Sequence, residues 1–285
     1  MILKATDPLS SIPTPIVLTA PHKLAEDDVY IKDYCNKSAS VLSESDAVKP
    51  PVYMRGIGRI GNLMFQLASA WAIARINNRT LIVDKSTVRS LNTVFNLKYN
   101  DDDFVVGNKP SDIQVVYQEN GTYGFVQGNF CLLPNRTVQV FGYLQNFKLF
   151  HAIDDKLHKL FALPKYIANK TKAYIHGIKS KGSNVTVVGI HVRRGDYTTK
   201  HLYEYGARLP NTSYIVNAMD YFRRKYENVH FIVCSDDPEW CTQELSILPN
   251  VTVVHNSIQK DMAMLVACDH MIITIGTFGW WAAWL

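Results

Sequence analysis

Val187-Val188-Gly189-Ile190-His191-Val192-Arg193-Arg194-Gly195-Asp196-Tyr197 runs from β-branched apolar residues straight into His, two adjacent Arg, Gly and Asp. Val and Ile at that density predict a buried parallel strand over Val185 to Val192. A buried strand does not normally deliver two guanidinium groups, because unpaired buried charge is very costly. In open α/β sheets ligands sit beyond the carboxyl ends of the strands. The block therefore reads as an anion site, since Arg is suited to forked phosphate contacts. The alternative is a structural Arg–Asp pair that closes the strand.

Similar alternation surrounds this stretch. Ser213 to Tyr226 has the pattern of an amphipathic helix, Val229 to Cys234 of a strand and Pro238 to Leu245 of a helix. Val251 to Val254 and Met271 to Ile275 continue as strands, with a helix over Asp261 to Ala267 between them. Repeated β-α alternation predicts a doubly wound, mainly parallel sheet. Upstream, Val52-Tyr53-Met54 is a short strand, Leu63 to Ile76 a helix apolar almost all round, and Leu81-Ile82-Val83-Asp84 the next strand. Short strands are expected near Phe104–Val106, Ile113–Val116 and Thr137–Val140, and a helix over Leu149 to Leu163. Residues 1–48 mix Pro, Ser, Asp and Lys and read as a stem. The expected organisation is that stem, an N-terminal Rossmann-like domain over 49–164 and a C-terminal one over 165–285, facing each other across a cleft.

The 285 residues are 47% apolar, ample for two cores, with a formal net charge of +5. That charge suits an anionic ligand, and no Lys/Arg run or basic stripe points to nucleic acid. The five cysteines form no CxxC pair and the nine histidines no HExxH, so neither a zinc site nor a redox motif is expected. Asp101-Asp102-Asp103 is the one metal candidate, and an exposed acidic loop is the simpler account of it. Eight Asn-x-Ser/Thr sequons, at Asn36, Asn78, Asn120, Asn135, Asn169, Asn184, Asn211 and Asn250, favour a lumenal or secreted setting. No signal peptide or membrane anchor is visible in the chain.

Three further motifs sit at strand ends. Gly56-x-Gly58-x-x-Gly61 lies between a strand and a helix, where small residues let backbone N–H groups approach an anion. Asn62 is placed to cap that helix. With Asp84 at the end of the next strand, the loop also satisfies a dinucleotide fingerprint, so an NAD(P) oxidoreductase is a rival reading. In Cys234-Ser235-Asp236-Asp237-Pro238-Glu239-Trp240-Cys241, either Asp236 caps the helix that Pro238 opens, or a carboxylate receives the N–H groups of a guanine base. In Thr274-Ile275-Gly276-Thr277-Phe278-Gly279-Trp280-Trp281, backbone amides and the Thr277 hydroxyl can hold a phosphate, and the alternative is a tight βα turn.

Together these segments resemble the α1,2-fucosyltransferases. Gly58 to Gln66 is similar to that family's GRLGNQMxQ loop, with Leu63 in place of its first Gln. Gly189 to Tyr197 resembles its HVRRGDY block, Ser235 to Cys241 its SDDxEWC segment, and Asp261 to Ala283 its TIGTFGxWAA ending. The resemblance implies a GT-B-like fold, a Golgi membrane setting with a lumenal catalytic domain, and GDP-fucose as donor with no metal required. Fucose would go, with inversion, to the 2-hydroxyl of a galactose-terminated glycan on a glycoprotein or glycolipid. Carried over by position, His191 and Asp236 or Asp237 would face the guanosine, and Arg193 would hold the β-phosphate. Gly276, Thr277 and Phe278 would line the diphosphate site, and the loop carrying Gly58, Gly61 and Asn62 would close over it. Arg194, on the opposite face of the strand, would pair with Asp196 or another acid. Asp196 is the favoured general base, with His201 and Glu204 as alternatives. The family's chain continues beyond the point matching Leu285, which implies a C-terminal domain truncated there and leaves a catalytically inactive glycan-binding homologue as the second rival.

Overall fold

The computed structural model describes residues 17–18, 49–100, 103–113, 115–118, 130, 133–198 and 209–285. The stem expected over 1–48 lies outside them, apart from a two-residue strand β1, Val17–Leu18. Cys35, Cys131, Asn36, Asn120, Asp101, Asp102, His201 and Glu204 also lie outside them. The described chain divides into two units. One gathers residues 49–176, 256–267 and 276–285, and the other residues 17–18, 177–255 and 268–275.

In the first unit, strands β2 Val52–Met54, β3 Leu81–Asp84, β4 Val105–Gly107, β5 Val115–Gln118 and β6 Val138–Phe141 form one sheet. Every pairing is parallel and the order is β4-β3-β2-β6-β5. The winding reverses at β2, which has β3 on one side and β6 on the other. The crevice beyond the carboxyl ends of strands at such a switch is where open sheets bind ligands. After β2 the chain turns into helix α1, Ile60–Ile76, buried on nearly every face as its all-round apolar sequence requires. Helix α2, Lys85–Leu91, follows β3 directly.

The single helix expected over Leu149 to Leu163 is instead two 3-10 turns, Phe147–Leu149 and His151–Ile153, then α3, Asp154–Leu160. Local side-chain bonds win over continuous helix here. Asn146 accepts the Lys148 N–H, and His151 Nδ1 meets the Asp154 carboxylate at 2.5 Å. Asp154 and Asp155 then open α3, where negative charge favours a helix start. Helix α4, Lys165–Lys179, leads on to the second sheet.

That sheet holds β7 Val185–Val192, β8 Asn228–Ser235, β9 Val251–Val253 and β10 His270–Ile273, in the order β1-β10-β7-β8-β9. All pairs are parallel except β1 with β10. Helices α5, Thr212–Lys225, and α6, Pro238–Leu245, follow β7 and β8. Val188, Ile190 and Val192 of β7 pack with Ile215, Met219 and Phe222 of α5 and Phe231 and Val233 of β8 to make the core. The winding reverses at β7, between β8 and β10, so this unit too has its switch where the charged block begins.

Two helices that follow strands of this second sheet belong to the first unit: α7, Ile258–Val266, and α8, Thr277–Trp284. Trp281 of α8 is fully buried and meets the rings of Phe65, Phe150 and Phe161 at 5.1, 5.4 and 5.4 Å. Among the described residues no helix is long and apolar enough to cross a membrane.

Candidate active site

The twelve candidate residues fall into two groups, one in each unit. In the unit built on β7, six stand at the carboxyl ends of β7 and β8. His191 ends the apolar run and is only 5% exposed. Burial, and secondarily the Arg193 charge, pushes its pKa down to about 4, so the imidazole is neutral at physiological pH. The Arg193 backbone N–H donates to Thr274 Oγ1 at 2.9 Å, which ties the end of β7 to the segment after β10 across the switch. The Arg193 guanidinium pairs with both Asp196 and Asp236, and its side chain is 12% exposed. Asp196 lies in the 3-10 turn Gly195–Thr198. A side chain on Gly195 would collide with the Asp236 carboxylate, so glycine permits this close approach.

Arg194 points elsewhere, as strand alternation requires. Its Nε meets Asp237 Oδ2 at 3.0 Å, and its guanidinium lies 3.9 Å over the Trp240 ring. Its partner is thus Asp237 rather than Asp196, which belongs to Arg193. Helix α6 is capped by Asp237, whose Oδ1 accepts the Trp240 N–H at 3.2 Å. Asp236, the sequence candidate for that cap, instead accepts the Arg194 backbone N–H at 2.8 Å. Both carboxylates therefore organise the arginine block.

The other six candidates stand together in the first unit. Gly58, at φ 85, turns the chain into α1. Asn62 is not the cap expected of it. The helix starts earlier, at Ile60, and Asn62 Oδ1 accepts the Thr277 hydroxyl at 2.9 Å and the Gln145 amide at 3.1 Å. At Gly61 an added Cβ would lie 2.7 Å from the Phe278 nitrogen, so only glycine lets α1 and α8 approach this closely. Trp281 Nε1 donates to the Gly61 carbonyl at 3.1 Å. Gly276, at φ 104, precedes Thr277 and Phe278 at the start of α8, where the first amides of a helix have no carbonyl inside it to bond. The Thr277 proton is directed at Asn62.

Asp84, the acid of the dinucleotide fingerprint, caps α2 through the Ser86 N–H at 2.9 Å and accepts the Tyr53 hydroxyl at 2.8 Å. Burial chiefly, and then that bond, pushes the Tyr53 pKa up to about 12. Several organising residues had no assignment from sequence. Gln66 bonds the Ile57 N–H and carbonyl at 2.9 and 2.8 Å and the Asn62 carbonyl at 3.0 Å, and so braces the whole Gly56–Asn62 loop. Its signal was present: a glutamine inside an otherwise apolar helix. Thr274 and Trp240 lie within the motifs and Gln145 lies far from all of them in sequence, and only the folded partners reveal their roles. Among the described residues, no group of three or more His, Cys, Asp or Glu could hold a metal ion, and Asp103 pairs with Lys156 at 3.1 Å.

Two α/β units on mainly parallel sheets, each with polar residues at its switch point, have the GT-B-like fold of solved fucosyltransferases. The crystal structure of fucosyltransferase NodZ from Bradyrhizobium is similar, with TM-score 0.53 and 15% identity over 82% of this chain and 93% of that one. NodZ alpha-1,6-fucosyltransferase co-crystallized with GDP matches at TM-score 0.54 and 16% identity, covering 82% and 92%. The family model of glycosyl transferase family 11 matches residues 34–285, and the chain belongs to that family. Its relatives include mouse galactoside alpha-(1,2)-fucosyltransferase 2, 28% identical over 88% of this chain and 72% of the relative. Mouse galactoside 2-alpha-L-fucosyltransferase Sec1 is 30% identical over 85% and 68%.

Proposed function

We propose that this chain transfers L-fucose from GDP-fucose to the 2-hydroxyl of a terminal galactose on a glycoprotein or glycolipid glycan, with inversion at fucose C1. The observation that carries this reading is the Arg193 guanidinium, fixed between two carboxylates at the switch point of a parallel sheet. The bond from C1 to the β-phosphate oxygen breaks while the acceptor O2–C1 bond forms. Negative charge grows on the departing GDP, and a preorganised guanidinium stabilises it. The diphosphate approaches Arg193 on the side of Asp196, the more exposed of its two partners, while Asp236 is also held by the Arg194 amide. Asp196 takes the proton of the acceptor hydroxyl as general base.

His191, Asp236 and Asp237 are assigned to the guanosine side, with Arg194 holding Asp237. Gly276, Thr277 and Phe278, with the loop of Gly58, Gly61 and Asn62, are assigned to the diphosphate. Neither a metal nor an organic cofactor has a part in this scheme. On the strength of its eight sequons we place it as the lumenal catalytic domain of a Golgi membrane protein, with an N-terminal acceptor domain and a C-terminal donor domain.

Calorimetry with GDP tests the assignment. Arg193→Ala removes the phosphate contact and takes a cation from beside Asp196 and Asp236, so GDP binding should weaken by ~2–5 kcal/mol and transfer should vanish. Unchanged GDP affinity would overturn the phosphate role. The NAD(P) reading loses its ribose ligand to the α2 cap, and a parallel titration with NADH should show no binding. Hydrolysis of GDP-fucose by the wild-type protein separates an active enzyme from an inactive homologue.

A further inference from the structure

The switch point of the first sheet has two sides. The Gly56–Asn62 loop leaves β2 on one, and the turn Gly142-Tyr143-Leu144-Gln145 leaves β6 on the other. This turn is unusual in its backbone. Gly142 has φ 127, and Leu144 has φ 50, a left-handed conformation that costs a branched side chain about 1–3 kcal/mol. Three contacts hold it there. The Leu144 side chain is buried at 2% exposure, its carbonyl accepts the Ser69 hydroxyl at 3.1 Å, and Gln145 donates to Asn62 at 3.1 Å. Between these two left-handed residues stands Tyr143, 47% exposed. The fold thus maintains a strained turn that carries an exposed aromatic residue just past the carboxyl end of β6, beside the switch where open sheets take ligands.

We propose that Tyr143 is the stacking platform for the acceptor galactose. This rests on the fucosyl-transfer reading above. β-D-Galactose carries H3, H4 and H5 as an apolar patch on one face, and aromatic rings are the usual protein surface for such a patch. A ring seated there by that patch leaves its equatorial 2-hydroxyl at the edge, unobstructed for transfer. Gln145 couples the platform to Asn62 and through it to Thr277, so the acceptor ring is registered against the loop assigned to the donor diphosphate.

Kinetics of the full chain with N-acetyllactosamine and GDP-fucose, together with saturation-transfer NMR of methyl β-D-galactoside, test the proposal. Tyr143→Ala should raise the acceptor KM about tenfold while leaving the GDP-fucose KM within about twofold. Tyr143→Phe, which keeps the ring face, should stay near wild type. In the NMR experiment the strongest transfer to wild type should fall on H3, H4 and H5, vanish in Tyr143→Ala and survive in Tyr143→Phe. An unchanged acceptor KM with unchanged NMR transfer in Tyr143→Ala, or a Tyr143→Phe variant as impaired as the alanine, overturns the platform. Wild-type protein that binds the galactoside through Tyr143 yet turns over no GDP-fucose would overturn the enzymatic reading and leave the platform standing.

Discussion

At the scale of single residues, the site depends on a histidine that does not charge. His191 is enclosed at the end of β7 beside Arg193, and burial with that neighbour lowers its pKa to about 4. The unfolded chain, with an ordinary value near 6.5, binds more protons than the native chain between those limits. Stability therefore rises with pH across the window from about 4 to 6.5, and falls by up to about 3 kcal/mol as the solution is acidified through it. Urea unfolding at pH 7 and pH 4.5 should show a loss in wild type that His191→Gln largely removes. An equal loss in both would locate the acid sensitivity in other groups. The neutral ring also means that His191 adds no further cation beside Arg193. The arginines and acids were legible as a block, since charge following a buried strand requires a purpose. Their pairing was not, because Asp236 and Asp237 are adjacent in sequence and only the α6 start decides which of them caps.

At the scale of elements, α1 and α8 depend on the absence of one side chain. A methyl at Gly61 would meet the backbone of Thr277 and Phe278 at 2.7 Å, and backbone cannot step aside as a flexible side chain can. Gly61→Ala should therefore cost ~1–3 kcal/mol through overpacking and lengthen the Asn62–Thr277 hydrogen bond. Thermal unfolding should show a drop of several degrees, and GDP binding should weaken with it. A variant as stable as wild type would mean that the helices can separate freely here. The glycine spacing correctly indicated a strand, a loop and a helix. It could not indicate that the third glycine serves contact with α8, because a local pattern carries no information about a partner far along the chain. The sequence points to Asn62 as a cap for the same reason: its partners in the fold, Thr277 and Gln145, are distant in sequence.

At the scale of the molecule, the chain enters the first unit again after β9 and once more after β10, with α7 and then α8. Alternating strands and helices could be read from periodicity, but periodicity does not say which sheet a helix joins. Trp281 shows what the return contributes. It is fully buried among Phe65, Phe150 and Phe161, and its indole N–H satisfies the Gly61 carbonyl. Trp281→Ala should cost the first unit ~3–5 kcal/mol, the range for removing a buried aromatic. If each unit keeps its own core, native-state hydrogen exchange of this variant should lose protection in α1, β2 and β6 while β7 and β8 of the second sheet hold theirs. Equal loss in both sheets would instead show that the two units unfold as one cooperative body. The same reasoning makes a fragment of residues 49–176 an unstable product. Without α8 it would expose Phe65 and Phe150, which are 4% and 0% exposed in the whole chain, and would lose the cover that closes its core. Near-ultraviolet circular dichroism of that fragment should lack the fixed aromatic signal, and adding residues 256–285 through a short linker should restore it.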